Sequence, residues 1–218
     1  MFIMAMYIRE PINGLTHLLW ALLAFAGLLA MVIKVATTTA DLLQLTAVII
    51  FGVSMILLYS ASAIYHMVIT KKQITALLRR FDHSMIFILI AGTYTPFCLI
   101  SLNGWVGWTL FTIIWGLAIL GIIFKMVWFQ APRWLSTGIY IGMGWLVIFF
   151  IYPLSQVLDP VGLWLLFIGG ILYTVGGVIY GLKPKVLTLK HLGFHEIFHI
   201  FIMLGSTAHF LSVYLYVI

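Results

Sequence analysis

Seven stretches of this chain, each about 20 residues long, are apolar almost without interruption. A bilayer's hydrocarbon core is about 30 Å thick, and a helix crosses it in about 20 residues. The runs are Leu15 to Ile33, Leu42 to Met67, Ser84 to Leu102, Trp105 to Phe124, Trp134 to Tyr152, Val161 to Leu182, and Phe194 to Ile218. The chain has 218 residues, of which 64% are hydrophobic and only 7% charged, with a mean hydropathy of +1.21. Soluble domains carry roughly 25% charge. The expectation is an all-α polytopic membrane protein, with residues 1–218 forming a single seven-helix transmembrane domain. The first run is too long for a signal-peptide core and lacks a convincing cleavage site, so it reads as a retained span.

A net charge of +6 and a pI near 9.5 suggest nucleic acid at first sight, but the basic residues alternate by loop instead. Arg9 precedes span one, and Lys71, Lys72, Arg79 and Arg80 separate spans two and three. Lys125 and Arg133 follow span four, and Lys183, Lys185 and Lys190 follow span six. The opposite loops carry only Lys34, a division of ten against one. This bias places the N-terminus in the cytoplasm and the C-terminus outside, in the cell membrane. Membrane lipids with anionic headgroups, not nucleic acid, are the expected partners.

Loops are short, the longest being about 15 residues around KKQITALLRR, so the spans are expected to form one compact bundle. The pairs Gly169–Gly170 and Gly176–Gly177 suit close helix packing in lipid. Pro96 should kink span three. Trp105, Trp108, Trp134 and Tyr152 read as interfacial anchors. Cys98 is the lone cysteine, which excludes an intrachain disulfide.

Ionisable residues inside spans are costly and demand a reason. Asp41 and Asp159 fall in the outer loops, where solvation suffices. Glu10, His17, His66, Asp82, His83, His191, His195, Glu196 and His199 all gather at the opposite side. His66 lies five residues before Lys71, His195 five after Lys190, and Asp82 two after Arg80. At about 1.5 Å per residue, three spans therefore offer ligands within roughly 3 to 8 Å of one level.

HEIFH, residues 195–199, matches the zinc-protease signature HExxH. His195 and His199, four apart, share a helix face and reach one ion together. The extended pattern HExxHxxGxxH fails, because Ile202 and Gly205 occupy the required positions, and no acid follows Glu196. His209, about 15 Å further along the axis, is too distant. The third ligand must come from another span, with His66 the best candidate and Asp82 the next. Ser62 lies one turn before His66, placed either to bond a substrate oxygen or water, or to bond back to its own helix. Asn13 and His17, with Glu10 a turn earlier, fit a supporting shell or helix-helix contacts better than direct ligation. His191 reads as a solvated loop residue, His83 points about 100° away from Asp82, and His209 suits an interhelical hydrogen bond. Glu196 fits either a general base or a carboxylate at a helix N-terminus.

The segments EPINGLTH, SASAIYH, FDHSMIFILIAGTYTPF and GFHEIFH together resemble the bacterial hemolysin III family, of the progestin and adipoQ receptor class of seven-helix membrane proteins. The resemblance runs from about Glu10 to the end of span seven. It implies zinc held by His66, His195 and His199, with Asp82 and Ser62 holding or facing the water on it. Members of that class are linked to ceramidase-like lipid amide hydrolysis, receptor signalling and membrane-fluidity homeostasis.

Three protein ligands with water in fourth place describe a catalytic zinc site, whereas a structural one is closed by four. The expectation is hydrolysis of a ceramide-like lipid amide or ester, Asp82 shuttling the proton and Ser62 steadying the oxyanion. The competing classes are a membrane-homeostasis or receptor-like protein with a structural zinc, and a pore-forming cytolysin; short loops and continuous apolar spans argue against a secreted toxin. A haem-binding bundle is a weaker fourth class.

Overall fold

The computed structural model describes residues 7–184 and 193–218. His191, Lys185 and Lys190 lie outside the described residues. Among the described residues, seven helices are long and apolar enough to span a membrane: α1 Pro11–Thr38, α2 Leu42–Met67, α3 Lys72–Ser101, α4 Gly104–Val127, α5 Arg133–Ser155, α6 Pro160–Leu182 and α7 Phe194–Tyr216. There is no strand among the described residues.

Local chemistry sets the helix starts. The Asp41 carboxylate accepts the Gln44 N–H at 2.7 Å and caps α2, and Asp159 accepts the Val161 N–H at 2.8 Å ahead of Pro160, capping α6. These two acids therefore satisfy helix N–H groups that would otherwise lack partners. The segment KKQITALLRR is not the long loop expected. It is helical from Lys72 onward, which leaves a short link between α2 and α3. Its Gln, Ala, Leu and Arg are strong helix formers, and they win once α3 packs below them.

Pro96 has no N–H to give, and the chain passes from α-helix to a π-helical turn over Phe97–Ser101, closed by the Leu102 N–H bonding Phe97 O at 2.9 Å. α5 tightens to a 3-10 segment over Trp145–Phe150. At that break the Tyr94 hydroxyl from α3 donates to Gly144 O at 2.7 Å and Met143 O at 3.0 Å, and accepts the Val147 N–H at 2.9 Å.

Each helix packs on its neighbour in the chain, and α7 returns against α1 to close the ring. α3 is the most enclosed helix and α5 the least. The glycine pairs of α6 serve two interfaces. Gly169 and Gly176 lie against His209 and Phe201 of α7, and Gly170 and Gly177 face Trp145 and Ile141 of α5. Cys98 is buried, and Trp105, Trp108, Trp134 and Tyr152 are exposed.

Candidate metal centre

The centre is assembled at the C-terminal end of α2 and the N-terminal end of α7. Helix α2 ends with backbone carbonyls that have no partner within the helix. The segment before α1 supplies partners: the Glu10 N–H donates to His66 O at 2.9 Å, and the Arg9 N–H to Met67 O at 3.3 Å. That pairing sets the Glu10 side chain beside the His66 ring, whose Nδ1–H donates to Glu10 Oε2 at 2.6 Å. The hydrogen bond from His66 holds the Glu10 carboxyl down at about 2, against the burial that pushes it up. With its proton on Nδ1, His66 presents an Nε2 lone pair to the interior.

One ring nitrogen each from His66, His195 and His199 lies within 4.8 Å of the others, so the three could hold a metal ion. The Nε2 atoms of His66 and His195 stand 3.4 Å apart. His66 and His199 are buried and His195 is partly so. The four-residue spacing on α7 sets its two rings on one face, tilted by 52° with centroids 4.5 Å apart.

Asp82 falls outside this trio. It lines the adjoining cavity with Ser62, and its carboxyl faces both His66 and the Ser62 side chain. Ser54, Thr93 and Thr95 bond back to their own helices. Ser62, among the described residues, does not. His83 stands apart, its Nε2 3.5 Å from the Tyr180 hydroxyl.

The α1 residues form the supporting layer. Asn13 Nδ2 donates to Glu196 Oε1 at 2.9 Å and to Glu10 Oε2 at 3.3 Å. Glu196 also accepts the Gly193 N–H at 2.8 Å, so this carboxylate seals the start of α7 and ties it to α1. It occupies the helix-terminal position expected of it. His17 stacks on His199, with centroids 3.7 Å apart and 15° between ring planes. His209 sits deeper and bonds Leu166 O of α6 at 3.0 Å. Sequence spacing signalled the Glu10–Asn13–His17 row but not its partners, because the Arg9–Met67 and Glu10–His66 backbone pairs have no side-chain signature.

A cavity of about 320 Å³ runs from Asp82, His195 and His199 through largely apolar walls to His209. Ile148, Ile151 and Phe167 both line it and are exposed on the bundle's outer surface. The cavity therefore reaches the lipid-facing side between α5 and α6.

The family model described as "Haemolysin-III related" matches residues 5–210. The chain belongs to the haemolysin III family. A hemolysin-3 homolog of Bacillus subtilis (strain 168) is 43% identical over 213 residues, covering 96% of this chain and 95% of that protein. Hemolysin-3 of Bacillus cereus is 42% identical over 216 residues, covering 99% and 95% respectively. This haemolysin III protein is thus a multi-pass membrane protein with seven spans and a three-histidine group able to hold a metal.

Proposed function

We propose that this chain is a zinc-dependent hydrolase of ceramide-like lipid amides or esters in the cell membrane, with a part in lipid homeostasis. The observation that carries the reading is the position of three converging imidazoles at the end of an acyl-sized apolar cavity that opens to lipid. The donor set suits zinc. Two nitrogens at about 2.0–2.1 Å from a tetrahedral ion stand about 3.4 Å apart, the spacing of the His66 and His195 Nε2 atoms.

Zinc held there would supply Lewis-acid polarisation of a carbonyl and activation of water. The chain's own residues do the rest. The apolar walls hold the acyl chain and exclude bulk water, so the carbonyl stops beside the histidines. Ser62 donates a hydrogen bond to the carbonyl oxygen as charge develops there. Asp82 takes a proton at its carboxylate as water adds to the carbonyl carbon, then returns it to the leaving nitrogen as the C–N bond breaks. Glu10 fixes the His66 tautomer, and Asn13 holds Glu10.

A second reading has zinc as a clamp between α2 and α7, favoured by the near-complete burial of His66 and His199. Two measurements separate the readings. Elemental analysis should find one zinc per wild-type chain and little in His66→Ala or His199→Ala. Purified protein should release fatty acid from a ceramide panel, and Asp82→Asn should abolish release while keeping its zinc. Zinc retained with no release from any wild-type preparation would leave only the clamp.

A further inference from the structure

Beside the trio, and sharing the Tyr180 ring whose centroid lies 5.9 Å from that of His195, a second pocket is walled by Arg79, Lys125, Phe129, Arg133, Ser136 and Tyr180, and His83 reaches it from the main cavity. Its charges are unbalanced. Arg79, Arg80 and Lys125 gather about one ring, their charged groups 5.2, 5.4 and 5.9 Å from the Phe129 centroid. Arg133 lies 5.4 Å from the Tyr180 centroid on the same pocket. Lys125 is only 3% exposed, and of its three donors one reaches Ser136 Oγ at 2.5 Å. Arg80 Nε is buried with no partner.

Among the described residues, no carboxylate answers these charges from inside the pocket. The chain has five acids. Asp41 and Asp159 cap helices at the other end. Glu10 and Glu196 are engaged around His66 and Asn13. Asp82 feels Arg79 but faces Ser62 and His66 in the main cavity. Cation–π contacts are too weak to offset like charges drawn together out of water. A buried ammonium with spare donors calls for an anion that the chain itself does not provide.

We propose that this pocket binds the phosphate of an anionic phospholipid headgroup, with Arg79, Lys125 and Arg133 as charged donors and Tyr180 and Ser136 as neutral ones. Its volume, about 30 Å³, admits roughly two oxygen-sized groups and no acyl chain. Forked guanidinium donors match phosphate oxygens. The pocket lies where α3 and α5 begin and α4 and α6 end, at the level where a headgroup meets the bundle. Soluble phosphate offers the same oxygens without the lipid. The proposal does not depend on the metal reading.

The test is calorimetric titration of the purified full chain in neutral detergent with dihexanoyl phosphatidylglycerol, dihexanoyl phosphatidylcholine and inorganic phosphate. Phosphatidylglycerol should bind saturably, and phosphatidylcholine, whose choline cation meets the same cluster, about tenfold or more weakly. Lys125→Met and Arg133→Gln should each weaken phosphatidylglycerol about tenfold while zinc content stays unchanged. Arg133→Gln, at the pocket rim, tests the site if Lys125→Met misfolds. Equal binding of the two lipids, or unchanged binding by Arg133→Gln, overturns the site. Inorganic phosphate binding as tightly as phosphatidylglycerol overturns the lipid as its ligand.

Discussion

Glu10 lies outside the three-histidine group yet sets the state of one of its rings. Its carboxylate fixes the proton of His66 on Nδ1, and Asn13 in turn holds that carboxylate and Glu196 together. Removing such a partner from a ligating histidine weakens metal affinity by about 10- to 100-fold. Glu10→Gln should therefore bind zinc at least about tenfold more weakly in a chelator competition, with the helical content of the wild type. Zinc affinity equal to wild type would show that the pair is incidental. The convergence of His66 with His195 and His199 was legible in the sequence as the better of two choices, since depth along a helix can be counted from the basic residues that mark the interface; the same count admitted Asp82, which falls outside the trio. The stack of His17 on His199 was not legible. Depth gives a residue's height, but rotation about the axis and the neighbour it meets are set by packing between distant segments.

At the scale of elements, existence and order of the seven spans followed from apolar run length alone, because that length is imposed by the bilayer. Departures occur where the backbone leaves regular α-geometry or where propensity carries it beyond the apolar run. α3 extends to Lys72, a stretch too polar to register as a span. The 3-10 segment Trp145–Phe150 has no proline or glycine within it to announce it. It is stabilised from outside, by the Tyr94 hydroxyl. In lipid, backbone groups freed by such a break have no water to turn to. Tyr94→Phe removes the hydroxyl that bonds the Val147 N–H and the Gly144 and Met143 carbonyls, and should cost about 1–3 kcal/mol. Unfolding in detergent should register that loss, while Tyr152→Phe, on an exposed side chain, should lie within about 0.5 kcal/mol of wild type. Equal stability of the two variants would mean that the 3-10 turn satisfies itself.

For the whole molecule, the disposition of charge sets the expected membrane face of the three-histidine group. Among the described residues, eight basic residues fall on the side of the three-histidine group and one, Lys34, on the other. That exception is itself accounted for: Lys34 Nζ donates to Tyr214 O at 2.5 Å and lies 4.8 Å from the Tyr214 centroid, so its charge meets the negative end of α7. It is engaged in helix capping rather than displayed in a loop. The outer links hold Asp41 and Asp159 instead. Because Lys and Arg are retained on the cytoplasmic side, the expected placing of the N-terminus, the three-histidine group and the cationic pocket is inside, where anionic lipid is available. In a Cys98→Ser background, Asn103→Cys in the α3–α4 link should react with a membrane-impermeant maleimide on intact cells. Gln130→Cys in the α4–α5 link should react only after permeabilisation. The reverse pattern would put both sites on the outer surface. It would also separate the cationic pocket from the inner leaflet, so the labelling experiment bears on the phosphate proposal as directly as on topology.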